Sequence, residues 1–235
     1  PQGDGKKCPD LVLSLLMARG IIFMGTGSFS LPSLQRLLRR EEVLMVITQP
    51  DRPRGRGRRP SPPPVKELAL KEGVPLLQPP RLKEVLEELR DASPEVIVVA
   101  AFGQLLPKEV LELPPLGCVN LHPSLLPRYR GAAPINWAIL RGERETGVST
   151  MLMDEGMDTG PLLLQRRVKI GEEETAQELC QRLSLLGADL LEETLQGLRR
   201  GEIRPVPQRE EEASYAPPLR KEDGLIEWQQ EAKVI

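Results

Sequence analysis

Glu95-Val-Ile-Val-Val-Ala-Ala-Phe102 is the most apolar short run in the chain, and its reading decides the fold. A continuous apolar run of this length is the pattern of a strand buried on both faces, at the centre of a parallel sheet. Gly103-Gln-Leu-Leu-Pro107 leaves its carboxyl end. Upstream, the pattern predicts strands over Gly20–Gly25, Val43–Thr48 and Val74–Gln78, with helices over Leu31–Arg40, Val65–Glu72 and Leu82–Arg90. Downstream it predicts a strand over Cys118–His122, a helix from about Pro134 to Arg141, and strands over Gly147–Asp154 and Pro161–Ile170. A long helix follows over about Thr175–Arg200; Leu179, Leu183, Leu186, Leu190, Leu191, Leu195 and Leu198 form its apolar stripe, and Gly201 stops it. Strands alternating with helices predict an α/β fold: a Rossmann-like, mainly parallel sheet with helices on both faces. From Pro205 the chain turns polar and irregular, which predicts an extended C-terminal arm through Tyr215 and Trp228. The expected organisation is an uninformative stretch over 1–16, a catalytic domain over 17–205 and an arm over 206–235.

Composition narrows the function classes. Hydrophobic residues make up 40% of 235, enough to build a core without metals or disulfides. The net charge of −2 excludes a general polycation, so any nucleic-acid contact must come from a local patch. Cys8, Cys118 and Cys180 are odd in number, far apart and free of any CxxC, which argues for a reducing compartment. No apolar run approaches the ~18 residues of a membrane span. Lys6 and Lys7 precede the short apolar run Leu11–Ala18, faintly like a signal peptide, but that run leads straight into Arg19. Residues 1–16 are therefore read as lying upstream of a natural start near Met17.

The candidate site follows the central strand. Residues i and i+2 of a strand share a face, so Asn120 and His122 point one way while Val119 and Leu121 point into packing. Pro123 ends that strand. An amide beside an imidazole at a strand's carboxyl end is where open α/β sheets place ligands. His122 is the only histidine in the chain. A lone histidine can be a structural hydrogen-bonder; the cationic turn Arg128-Tyr129-Arg130-Gly131 argues for a functional one. One histidine and no cysteine cluster cannot make a usual zinc site, so no metal is expected. Gly25-Thr-Gly-Ser28 is not a G-x-G-x-x-G fingerprint, since its third position is Ser30, and it reads as a tight turn before a helix. The small residues Ala100, Ala101 and Gly103 admit either a flat ligand or close helix packing. Asp154-Glu-Gly-Met-Asp-Thr-Gly160 is a tight acidic loop.

The most unusual composition lies between Gln49 and Pro64. Arg52, Arg54, Arg56, Arg58 and Arg59 stand there without an acid among them, interleaved with proline and glycine. Proline and glycine predict an exposed loop without regular structure. Its concentrated positive charge suits a phosphate backbone.

Three segments together resemble the methionyl-tRNA formyltransferase family: Gln49-Pro-Asp-Arg-Pro with Gly55-Arg-Gly57; Asn120-Leu-His-Pro-Ser-Leu-Leu-Pro-Arg-Tyr-Arg-Gly-Ala-Ala-Pro134; and Met153-Asp-Glu-Gly-Met-Asp-Thr-Gly160. The resemblance covers about residues 18–235. It implies 10-formyltetrahydrofolate as co-substrate and initiator Met-tRNA as acceptor, in a monomer of the bacterial cytoplasm or an organelle matrix. It implies a catalytic set of Asn120, His122 and Asp158. Asn120 would donate to the oxyanion of a tetrahedral intermediate. His122 would donate or shuttle the amine proton, and Asp158 would orient His122. Asp154 is the rival carboxylate; its place beside the strand suggests turn capping, and it is grouped with the folate-binding residues. The resemblance also gives a folate site of Phe102, Gly103, Gln104, Leu105 and Leu106 with Ser124, Leu125, Leu126 and Pro127. It makes the Arg loop, centred on Arg56, an insert for the tRNA acceptor stem. The opening departs from the family's Gly-Thr-Pro, reading Gly25-Thr-Gly27 here. The family carries a β-barrel domain after the Trp228 region, and a chain stopping at Ile235 is expected to lack it. Two other readings compete. One keeps the chemistry with a small acceptor, the amine of a sugar nucleotide or glycinamide ribonucleotide, or water; the other is a non-catalytic RNA-binding module.

Overall fold

The computed structural model describes residues 20–54 and 59–231. The expectations for residues 1–16 and for Arg56 and Arg58 lie outside the described residues.

The central run forms β6 (Val96–Ala100), and every residue of it is buried. It lies between β1 (Ile21–Gly25) and β7 (Cys118–His122), parallel to both. On the other side of β1 come β2 (Val43–Ile47) and β5 (Leu76–Leu77), also parallel. Beyond β7 the sheet turns antiparallel through β8 (Glu145–Leu152) and β9 (Leu162–Lys169). The seven-stranded order is β5-β2-β1-β6-β7-β8-β9. The chain first winds outward from β1 to β5, then returns to start again at β6. That reversal opens a crevice beyond the carboxyl ends of β1 and β6, where such sheets bind ligands.

Alternation explains the two faces. Ile21 and Phe23 of β1, Val96, Val98 and Ala100 of β6, and Val119 and Leu121 of β7 enter one core. Helices α1 (Leu31–Arg40) and α6 (Ala176–Arg199) and the shorter α2 (Pro64–Lys71) cover it. Ile22, Met24, Ile97, Val99 and Cys118 face the other way. There they meet Leu82, Val85, Leu89 of α3 (Leu86–Ala92), and Val110 of α4 (Lys108–Leu111). Burial pushes the Cys118 thiol up to about 12, so it behaves as a small hydrophobe.

Helix α6 fixes the strand that carries the candidate site. Thr175 caps it, accepting from the Glu178 N–H at 3.3 Å while Glu178 accepts from the Thr175 N–H at 2.9 Å. Its Gly187 lies so close to Leu121 of β7 that a Cβ there would meet Leu121 Cδ2 at 2.7 Å. Thr194 of α6 and Thr150 of β8 share a buried hydrogen bond of 2.8 Å.

The Arg/Pro segment differs from expectation. It forms a two-stranded antiparallel ribbon, β3 (Arg52–Arg54) and β4 (Arg59–Ser61), in which Pro53 faces Pro60. Opposed residues in such a pair alternate between exchanging hydrogen bonds and exchanging none. Two prolines opposite each other occupy a position that needs no donor, and with no third strand the outer edges need none either.

Candidate functional site

β7 ends at the crevice, and Asn120 and His122 project from the face opposite Val119 and Leu121. Both are nearly buried. The next segment turns back over them. Tyr129 and Gly131 adopt left-handed backbones, with φ of 61° and 110°. The left-handed turn brings the Tyr129 carbonyl to His122 Nε2 at 2.9 Å. A carbonyl only accepts, so Nε2 carries a proton there. Nδ1 faces the Asp158 Oδ2 at 3.6 Å.

Asp158 reaches this place from the acidic loop, itself left-handed at φ 55°. Its Oδ1 accepts from Asn120 Nδ2 at 3.3 Å, and its Oδ2 from the Gly131 N–H at 2.8 Å. One carboxylate thus joins β7, the turn at Gly131 and the acidic loop. Asp154 does something different. Its Oδ1 accepts from the Gly156 N–H at 3.0 Å and Thr159 Oγ1 at 2.7 Å, so it closes the turn that presents Asp158.

A cavity of about 530 Å³ opens at this triad. Phe102, Gly103, Gln104 and Leu105, four of the residues that the resemblance assigned to folate, line it. Leu106 does not; it is buried in the core beneath. Ser124, Leu125, Leu126 and Pro127 do not line it either. Ser124 donates from Oγ to the Arg128 carbonyl at 2.6 Å, Leu126 is buried, and Leu125 lies against Gly147. These residues build the turn that carries Tyr129 and Gly131; the wall itself runs through Gly131–Asn136. Phe29, Met153 and Met157 complete the apolar lining. The sequence reading did not assign these three to the site. Gln104 Nε2 is buried without a partner, leaving a donor in the wall. The volume and the mixture of apolar surface with few polar groups fit a small organic ligand.

A second cavity, about 350 Å³, shares Ala101, Phe102 and Gly103 with the first. Thr26, Gln49 and the base of the ribbon, Arg52 and Ser61, line the rest with Pro62–Pro64. Arg52 Nη2 donates to Gln49 Oε1 at 3.0 Å. Arg56, Arg58 and the side chains of Arg54 and Arg59 lie outside the described residues, so of the five arginines only Arg52 is placed.

The arm supplies groups that sequence reading did not find. Gln208 donates from Nε2 to the Asp158 and Gly160 carbonyls at 2.8 and 2.7 Å. Ser214 Oγ accepts from the Tyr129 N–H at 2.9 Å, and the Ala216 N–H donates to the Arg130 carbonyl at 2.7 Å. Arg130 is fully buried against Gln208 and Glu210. Among the described residues no group of three or more histidines, cysteines or carboxylates converges as a metal site.

Comparison with known proteins places the chain in a family. The formyl transferase family matches residues 19–195. The methionyl-tRNA formyltransferase of Pelobacter propionicus is 57% identical over 223 residues, 94% of this chain and 70% of that protein. That of Trichlorobacter lovleyi is 59% identical over 218 residues, covering 92% and 69%. Among solved structures, phosphoribosylglycinamide formyltransferase from Bacillus halodurans is 27% identical with a TM-score of 0.63, over 76% of this chain and 94% of that one. HypX from Aquifex aeolicus, solved with tetrahydrofolic acid, has a TM-score of 0.69 at 21% identity, over 92% of this chain and 32% of that one, and shares the fold. By the length and level of these matches, the chain belongs to the formyl transferase family and, within it, to the methionyl-tRNA formyltransferases.

Proposed function

We propose that the chain transfers a formyl group from 10-formyltetrahydrofolate to the amino group of initiator Met-tRNA, with Asn120, His122 and Asp158 as its working residues. The observation that carries this reading is the Asp158 carboxylate, within 3.3 Å of the Asn120 amide and 3.6 Å of His122 Nδ1 at the wall of the larger cavity.

In this reading the amine attacks the formyl carbon, and its carbonyl oxygen takes on negative charge. Asn120 Nδ2 has a second N–H beyond the one given to Asp158, and it donates to that oxygen. With Nε2 held by Tyr129, Nδ1 is the ring nitrogen left to move a proton. It takes the proton the amine loses and returns it to the departing folate nitrogen as the carbon–nitrogen bond breaks. The products are a formamide and tetrahydrofolate, with no change of oxidation state. Asp158 keeps the ring turned for this work.

The apolar wall and the Phe102–Leu105 turn would hold the folate. The arginines between Arg52 and Arg59 would hold phosphates of the acceptor stem, with Arg52 at the smaller cavity. The reading has a monomer acting in a bacterial cytoplasm or an organelle matrix, with residues 17–205 as the catalytic domain and 206–235 as the arm. The test is acceptor competition: formyl transfer measured with charged initiator tRNA, an amino-sugar nucleotide and glycinamide ribonucleotide. Transfer to the tRNA alone supports the reading; preference for a small amine refutes its acceptor half.

A further inference from the structure

The amide of Gln208 has a special position. It comes from the arm, yet all its hydrogen-bonding capacity is spent on the site loops. Nε2 gives one hydrogen to the Asp158 carbonyl at 2.8 Å and the other to the Gly160 carbonyl at 2.7 Å. Oε1 accepts from Arg130 Nε at 3.1 Å and Nη2 at 2.9 Å. The amide has one orientation here. A guanidinium only donates and carbonyls only accept, so a reversed amide would lose all four bonds. Arg130 in turn is fixed by Glu210, at 3.0 Å from Nη1 to Oε2 and 2.7 Å from Nη2 to Oε1.

The held residue needs holding. Asp158 has a left-handed backbone, uncommon for residues with a side chain though aspartate tolerates it better than most. Its carboxylate is fixed by the N–H of Gly131, the residue after Arg130. Its backbone is fixed by Gln208, which is bonded to Arg130 itself. Asp158 is therefore gripped at both ends by one cluster: Glu210, Arg130, Gln208 and Gly131. The edge of the arm is anchored too, since Val206 and Leu162 exchange two hydrogen bonds of 2.8 Å.

We propose that Gln208 is a positioning residue: it holds the backbone of Asp158 so that the carboxylate meets Asn120 and His122, and it touches no reacting atom. The proposal rests on the reading of Asp158 as a working carboxylate of formyl transfer. It makes the arm segment from Val206 to Ala216 part of the catalytic unit.

Two substitutions separate this from a role in folding. Gln208→Glu keeps the oxygen that accepts both Arg130 hydrogen bonds but loses the donors and turns an oxygen toward two carbonyls. Gln208→Met keeps length and loses every hydrogen bond. Single-turnover formyl transfer to charged initiator tRNA is measured per tetrahydrofolate-binding site, which removes any loss of folded protein. Asp158→Asn is run beside the parent. The expected result is a rate about 10- to 100-fold lower per site in both Gln208 variants, the range for a catalytic group displaced by about an ångström. The KM for tRNA should stay within about twofold, as for a lost transition-state interaction. Parent-like rates per site in both variants, with Asp158→Asn inactive, would overturn the proposal and leave the formyl-transfer reading standing. Fewer sites turning over at the parent rate would overturn it in favour of a role in stability. A parent-like Asp158→Asn would overturn the underlying reading itself, and the proposal with it.

Discussion

Replacing Gly131 by alanine should damage stability and turnover together. The position has φ of 110°, and a Cβ there would lie 2.9 Å from the Ala216 carbonyl oxygen. Holding a side-chain residue in so rare a conformation costs about 1–3 kcal/mol. The clash adds to this, because the neighbour is backbone tied by its own hydrogen bonds: the Ala133 N–H donates to that same oxygen at 3.1 Å. Relief by shifting Gly131 lengthens its 2.8 Å hydrogen bond to Asp158, a bond to a charged group worth ~1.5–3 kcal/mol when fully lost. Partial loss of each gives roughly 2–4 kcal/mol, or a fall of about 4–16 °C in melting temperature for a chain of this size. Calorimetry of Gly131→Ala reads the first effect. Formyl transfer by the folded fraction reads the second, with an expected loss of at least tenfold as Asp158 moves. A melting point within one or two degrees of the parent, with full turnover, would refute the claim that Gly131 is where the turn and Asp158 are joined.

Other perturbations test other parts of the account. Thr175→Ala removes the capping box of α6 and should cost about 1 kcal/mol by denaturant unfolding, with turnover unchanged. Gly187→Ala forces a methyl into Leu121 and should cost roughly 1–3 kcal/mol, lowering turnover through a shifted β7. Arg130 holds the Glu210 carboxyl below the usual glutamate range, so the folded value lies under the unfolded one. The stabilisation from that pair is then fully present above about pH 4.3 and is lost as pH falls through the depressed value. Melting temperatures of the parent and Glu210→Gln should differ near neutrality and converge in acid; a constant difference would contradict this. Arg56→Ala should weaken binding of charged tRNA and reduce the slope of log affinity against log salt by roughly one phosphate contact. An unchanged slope would mean that Arg56 is idle.

The sequence showed some of these features and concealed others for physical reasons. The strands at 96–100 and 118–122 were legible because burial on both faces leaves apolar runs, and because alternation sets Asn120 and His122 apart from Val119 and Leu121. The ribbon was not legible, since proline reads as a breaker until Pro53 is seen opposite Pro60. The expected folate wall at Ser124–Pro127 followed from the family resemblance. The chain turns inward there, burying Ser124 and Leu126, and returns to the cavity only at Gly131. Gln208 was hidden most completely. It lies in a polar stretch without periodicity, and its Nε2 serves carbonyl groups 48 and 50 residues away, which no side-chain pattern encodes.

The most direct test of the central claim is transfer of labelled formyl from 10-formyltetrahydrofolate to charged initiator Met-tRNA by the parent and by His122→Ala. The account predicts labelled formylmethionyl-tRNA from the parent, and at least a hundredfold less from a folded His122→Ala that still binds tetrahydrofolate, the range for losing a general acid–base. Equal transfer by the two proteins would contradict the assignment of the site, and no transfer by a folate-binding parent would contradict the assignment of the reaction.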